Sequence, residues 1–163
     1  MGTGSGCIAV GLSAKLPSAS VTAVDVSGEA LQMARENARL QGCNIQFKQC
    51  NILEEDLNEQ TWDVIVSNPP YVKESEKEAM SRNVKNFEPA LALFVPDNDP
   101  LKFYRRIIEL ASVSLNVGGR LYFEINEALG KQMAELFEAH NFSEIELRKD
   151  IFGKDRFIKG IKK

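Results

Sequence analysis

The order of patterns along this chain predicts an α/β domain built on an open, mostly parallel sheet with an antiparallel strand at one edge. Three observations carry that expectation. A glycine-rich turn, Gly2-Thr3-Gly4-Ser5-Gly6, opens a stretch with helical spacing of apolar residues over 7–16. Two short apolar runs, 21–25 and 62–67, read as buried strands, and each delivers a polar side chain at its C-terminal end. Helix and strand patterns then alternate without a repeat, linker or low-complexity insert. With 163 residues, a single domain over 1–163 is expected, large enough for a sizeable core.

The elements follow in order. The glycines permit positive φ and close approach of the backbone to a ligand. After the strand 21–25, Ser27 reads as the N-cap of a helix that presents Leu31, Ala34, Ala38 and Leu40 as its apolar face and stops at Gly42. Residues 45–50 alternate as a third strand ending at Asn51-Ile52. The run 62–67 is broken by Pro69-Pro70, since two prolines neither donate to a ladder nor continue a helix. The polar stretch 73–86 reads equally as a loop over the site or as a solvated helix. Residues 101–115 form an amphipathic helix with Phe103, Ile107, Ile108, Leu110 and Ala111 toward the sheet. Gly118-Gly119 should turn into a strand over 121–125, followed by a helix over 127–140 and an antiparallel strand pair, 143–148 and 156–161.

Asn68-Pro69-Pro70-Tyr71 is the most informative stretch. In an open α/β sheet ligands bind beyond the C-terminal ends of the strands, and here a carboxamide, a stiff diproline and an aromatic ring occupy such an end. The Asn68 carboxamide and the backbone carbonyls after it can accept hydrogen bonds from a planar NH2 group, and Tyr71 can stack on its flat face. A tight loop with a capping Asn is the plain alternative for the motif taken alone. Asp25 ends its strand about 20 residues after the glycine turn, the separation at which an acid accepts from both hydroxyls of a ribose. The spacing is G-x-G-x-G, unlike the G-x-G-x-x-G of pyrophosphate-binding folds, and no lysine follows as in a P-loop. A nucleoside without phosphates, such as S-adenosylmethionine, fits this turn better than NAD or ATP.

In this order and spacing the glycine turn, Asp25 and Asn68-Pro69-Pro70-Tyr71 resemble the class I S-adenosylmethionine-dependent methyltransferases, which have a Rossmann-like sheet. The chain is more closely similar to the HemK family, the glutamine N5-methyltransferases of peptide chain release factors. That closer likeness rests on Phe87-Glu88-Pro89-Ala90-Leu91-Ala92-Leu93, on Pro100-Leu101-Lys102-Phe103-Tyr104, and on Lys149-Asp150-Ile151-Phe152-Gly153-Lys154-Asp155-Arg156-Phe157-Ile158-Lys159-Gly160. The resemblance implies methyl transfer from S-adenosylmethionine, leaving S-adenosylhomocysteine, to the amide nitrogen of a glutamine in a Gly-Gly-Gln segment. It implies cofactor contacts from Gly2, Thr3, Gly4, Ser5, Gly6, Asp25, Asn51, Ile52 and Asn68. It implies catalytic and substrate contacts from Asn68, Pro69, Pro70 and Tyr71. Asn51 stands where the family usually has an acid that accepts from the adenine amino group, and Asn126 stands where the family has glycine in Glu-x-Gly. Ile52 reads evenly as an adenine contact or as core. The family's sheet has a central strand before the glycine turn and a helical substrate-recognition domain before that. The expectation is that this chain begins after both, through truncation or a misassigned start, and that the short chain is poorly active.

A formal net charge of −3, with no basic stripe or recognition insert, argues against the main rival, an N6-adenine nucleic-acid methyltransferase that would use the same motif for the same planar NH2 group. Lys154, Lys159, Lys162 and Lys163 read as a solvated face. A decayed nucleoside-binding module is the non-enzymatic rival; the missing strand favours it and the intact Asn68 motif disfavours it. Cys7, Cys43 and Cys50 are odd in number and lack C-x-x-C spacing, so they read as reduced packing residues of a cytoplasmic protein. His140 reads as a surface residue, and with no His/Cys cluster no metal site is expected. No apolar run reaches the length of a membrane span and no signal peptide is visible, so no membrane partner is expected.

Overall fold

The computed structural model describes residues 1–57, 61–78 and 93–163. The chain divides into two compact units, Met1–Glu55 and Asp56–Lys163.

In the first unit, helix α1 (Cys7–Lys15) starts at Gly6, whose φ of 84° turns the chain out of the glycine loop. Strand β1 (Val21–Asp25) pairs in parallel with β2 (Ile45–Gln49), Val21 opposite Ile45 and Asp25 opposite Gln49. The crossover is α2 (Gly28–Leu40), and its predicted cap is present: Ser27 Oγ accepts from the Ala30 amide at 3.2 Å. Leu31, Ala34 and Ala38 are buried on α2, but Leu40 is 65% exposed, against expectation. At about 100° per residue, nine residues beyond Leu31 lies half a turn away, on the far face. The core of this unit is small: Ala9, Ala23, Val24, Leu31, Ala34, Ala38 and Cys50. Cys50 is thus a packing residue, whereas Cys7 is exposed, which corrects the expectation for it.

The second unit contains β3 (Trp62–Ser67), β6 (Leu115–Glu124), β7 (Phe142–Lys149) and β8 (Asp155–Lys162), in the order β3-β6-β8-β7. β3 and β6 are parallel; β8 runs antiparallel to both β6 and β7. The antiparallel strand therefore sits one place in from the edge, and β7 forms the edge itself. A short parallel pair, β4 (Val72–Lys73) and β5 (Phe94–Val95), follows the Asn68 motif. β6 begins directly at Leu115, earlier than the glycine pair suggests. Gly118, at φ 79°, lies inside it, and there the ladder slips from Trp62 opposite Leu115 to Val64 opposite Arg120. Among the described residues β1 pairs only with β2, and β3 only with β6.

Helices α3 (Lys102–Ser114) and α4 (Gly130–Ala139) supply the core. Tyr104, Ile107, Ile108, Leu110 and Ala111 are buried on α3, while Phe103, expected to face the sheet, is only half-buried. Tyr104 takes the inward position because its ring starts an edge-to-face column, Tyr104–Phe123–Phe137–Phe142, with centroids 5.2, 5.9 and 5.2 Å apart. Gly160 on β8 makes room for that column: a Cβ there would lie 2.5 Å from Phe137 Cδ1. His140 is half-buried rather than on the surface, its Nδ1 lying 2.9 Å from the Leu136 carbonyl at the end of α4. Of the stretches that carry the family likeness, 87–92 lies outside the described residues, as does the 79–86 part of the candidate lid. The described start of that lid, Glu74–Glu78, is a 3-10 turn.

Candidate active site

The sequence-predicted site residues fall into two sets, one in each unit. In the first unit the loop 2–6 is built around Asp25. Asp25 Oδ2 accepts from the Gly4 amide at 2.8 Å, and Oδ1 accepts from the Ser27 amide at 3.0 Å. The Thr3 amide donates to Val24 O at 3.0 Å, and Gly6 donates back to Thr3 O at 2.9 Å. From α2, Asn37 Nδ2 donates to Ser5 O at 2.9 Å, a tether that the sequence reading missed because Asn37 looks like an ordinary helix-surface residue. Asp25 is thus first a structural clamp. An ionised carboxylate has about four acceptor directions, and these two backbone bonds occupy half of them.

The glycines divide the work. A Cβ on Gly6 would stand 2.9 Å from Ala34 Cβ, so that position serves close packing of α2. A Cβ on Gly4, with φ 52°, would meet nothing within 4 Å, so its backbone borders open space. A half-buried glycine backbone with open space beside it and a carboxylate at hand suits an uncharged ribose and an extended zwitterionic chain, and the donor set fits S-adenosylmethionine in that sense.

Asn51 is less free than the sequence suggests. Its Oδ1 accepts from the Leu53 amide at 3.2 Å, and its own amide donates to Glu55 Oε1 at 2.8 Å. The side chain shapes the turn after β2 as an Asx motif. Ile52 is half-buried in the same turn.

In the second unit the Asn68 motif stands at the C-terminal end of β3. Ser67 and Pro69 are buried, Asn68 is exposed, and Pro70 and Tyr71 are half-buried. No hydrogen bond reaches the Asn68 carboxamide from the described residues, so its oxygen remains open to an incoming donor. Tyr71 is anchored: its hydroxyl donates to Glu124 Oε1 at 3.0 Å, and Asn126 Nδ2 lies 3.5 Å from its carbonyl. Burial, with the Glu124 carboxylate second, pushes the Tyr71 phenol above its ordinary pKa, so it stays a neutral donor. Asn126, which stands where the family has glycine, does not use the left-handed backbone that glycine permits. It sits at φ −65° and caps the next turn, Oδ1 accepting from the Ala128 amide at 3.0 Å.

Behind Glu124 lies a support that the sequence reading did not assign to the site. Tyr104 donates from its hydroxyl to Glu124 O at 3.1 Å, and burial raises the pKa of this phenol too. Arg156 lies between the Ile125 carbonyl, 3.4 Å from Nη1, and Asp150 Oδ2, 3.4 Å from Nε. Asp150 in turn closes the β7–β8 hairpin, Oδ1 accepting from the amides of Phe152 at 2.9 Å and Lys154 at 3.1 Å. The Lys154 backbone bond foremost holds the Asp150 carboxyl below its usual range. The terminal lysines are largely engaged: Lys154 with Glu127 at 2.8 Å, Lys159 with Glu146 at 2.7 Å, Lys162 with Leu115 O at 2.6 Å. Among the described residues no three His, Cys, Asp or Glu side chains converge as for a metal ion, and no helix is long and apolar enough to cross a membrane.

Comparison with known proteins gives the family and the fold. The family model of the methyltransferase small domain matches residues 1–92. A release factor glutamine methyltransferase of Flavobacterium psychrophilum is 56% identical over 160 residues, covering 98% of this chain and 56% of the relative. A release factor glutamine methyltransferase of Bacteroides thetaiotaomicron is 50% identical, over 97% of this chain and 57% of the relative. The chain thus spans little more than half the length of these relatives. A solved methyltransferase structure from Pyrococcus furiosus superposes with a TM-score of 0.70 over 99% of this chain and 72% of that one, at 23% identity, which shows the shared fold.

Proposed function

Because the chain belongs to the methyltransferase small domain family, we propose that it transfers a methyl group from S-adenosylmethionine to the side-chain amide nitrogen of glutamine in the Gly-Gly-Gln segment of peptide chain release factors, in the cytoplasm. The observation that carries this reading is the exposed Asn68 carboxamide at the end of β3, fixed between buried Ser67 and buried Pro69. The relatives named for that activity support it.

S-adenosylmethionine supplies an electrophilic methyl on a positively charged sulfur. The difficulty lies in the acceptor, because an amide nitrogen delocalises its lone pair into its carbonyl. Asn68 Oδ1 and the Pro69 carbonyl accept the two amide hydrogens, which orients the nitrogen and stabilises the positive charge growing on it. Such alignment is worth about 7–11 kcal/mol in favourable cases. The Tyr71 ring covers the amide plane and excludes water. Transfer would form a nitrogen–carbon bond as the donor's sulfur–carbon bond breaks, with the surplus nitrogen proton lost to solvent. Asp25 and the Gly4 backbone would hold the ribose and methionine parts of the donor.

Incubation with S-adenosylmethionine and an intact release factor, followed by peptide mass spectrometry, tests the reading. A methyl's gain on the Gly-Gly-Gln glutamine is the expected result. Methylation of adenine in nucleic acid without labelling of the release factor overturns it in favour of the adenine enzyme. Donor binding without transfer to either acceptor identifies a nucleoside-binding module.

A further inference from the structure

We propose that Glu124 is a positioning residue for the acceptor seat, holding Tyr71 by its hydroxyl, with Arg156 backing the Glu124–Ile125 backbone, so that the ring and the adjoining Pro69-Pro70 keep the Asn68 carboxamide in one orientation. This inference rests on the function proposed above and adds a support that lies far from the motif in sequence. Tyr71 and Glu124 are separated by 53 positions, yet the phenol donates to Oε1 at 3.0 Å. Glu124 is the last residue of β6, and its backbone is fixed from both sides. Tyr104 donates to its carbonyl, and the next amide, Ile125 N, donates to Arg156 O at 2.8 Å. Arg156 is itself held by Asp150, the residue that closes the β7–β8 turn. The hairpin therefore braces the ring of Tyr71 through one carboxylate. Tyr71 divides into two functions, a ring that meets the substrate and a hydroxyl that points away from it into the support.

That division makes the proposal testable with Tyr71→Phe, which keeps the ring and removes only the anchor. Turnover on a release factor should fall about 10- to 100-fold, the cost of small misalignment, with donor affinity by calorimetry unchanged. Glu124→Ala should show the same loss, and the double variant should be no worse than the poorer single one, since both remove one contact. Glu124→Gln, which still accepts from the phenol, should recover most of the activity. Independently of turnover, the Asn68 side-chain NH2 resonances should shift or broaden in Tyr71→Phe. Full turnover with unmoved Asn68 signals, or losses that add in the double variant, overturns the proposal. If the wild-type protein methylates no release factor, the functional reading fails while the Asn68 resonances still decide the positioning claim.

Discussion

Two strand ends, one in each unit, carry candidate site residues, and they are supported in opposite ways. At the end of β1, Asp25 is its own scaffold: both oxygens accept backbone amides from within two residues or from the loop 21 positions away, and the loop's shape depends on them. At the end of β3, Asn68 makes no such bond among the described residues, and rigidity comes from the prolines beside it and from Tyr71, braced through Glu124 and Arg156. Under the proposed function the first arrangement would couple ligand affinity to local stability, because one carboxylate would serve both. Under the same proposed function the second separates them, leaving the carboxamide free for the acceptor while the residues proposed to position it stand behind Tyr71. A group that must bind tightly can double as a clamp; a group that must tighten only as charge develops is best left unengaged beforehand.

The sharpest way to break this contrast is Asn68→Ala. Turnover should fall by about 10²- to 10³-fold, as when one preorganised partner of a developing charge is removed, while the melting temperature and donor affinity stay near wild type. Steady-state kinetics beside calorimetry and a thermal melt would read this, and a comparable loss in all three would make Asn68 a folding residue. Asp25→Asn should behave differently. The new NH2 must face either the Gly4 or the Ser27 amide, donor against donor, so donor affinity should drop about 10- to 100-fold, and stability with it, for the loss of charge-assisted bonds worth about 1.5–3 kcal/mol each. Unchanged stability with lost binding would reduce Asp25 to a ligand contact alone.

A smaller effect separates the two inner glycines. Gly6→Ala places a methyl 2.9 Å from Ala34 Cβ at a left-handed backbone and should cost about 1–3 kcal/mol by overpacking, seen as a lower denaturation midpoint. Gly4→Ala meets no atom within 4 Å, so it should cost only the left-handed strain of about 1–2 kcal/mol but weaken donor binding. Equal binding losses at both positions would erase the division between packing and ligand approach. The smallest expected effect lies on the exposed β7–β8 hairpin. Hydrogen bonds from Arg148 first and Lys159 second hold the Glu146 carboxyl at about 2, down from 4.5. A depressed folded pKa stabilises above the unfolded value, so this contribution should be complete above pH 4.5 and lost as pH falls toward about 2. Urea midpoints of wild type and Glu146→Gln measured from pH 7 downward should converge only in that acid window.

Local chemistry along the chain was enough to place the α/β alternation, the Ser27 cap, the glycine turn, Asp25 and the Asn68 motif, because each of these is built from neighbours within a few residues whose φ, ψ or hydrogen-bonding needs are written in their side chains. It was enough as well for the resemblance to the release-factor branch, which relatives of that name match over nearly the whole chain. Tertiary structure alone decided what those groups are doing at rest. It turned Tyr104 inward to meet Phe123, whereas the outward Leu40, the turn of Asn51 and the cap of Asn126 are set within a few residues and were legible in principle from helical period and Asx chemistry. It also set the order β3-β6-β8-β7, with the antiparallel strand inside the edge. Above all it joined Tyr71 to Glu124, Arg156 and Asp150, across 53 or more positions. Periodicity and motif spacing report only on near neighbours, whereas a hydrogen bond between distant strands exists only once the sheet has set their register.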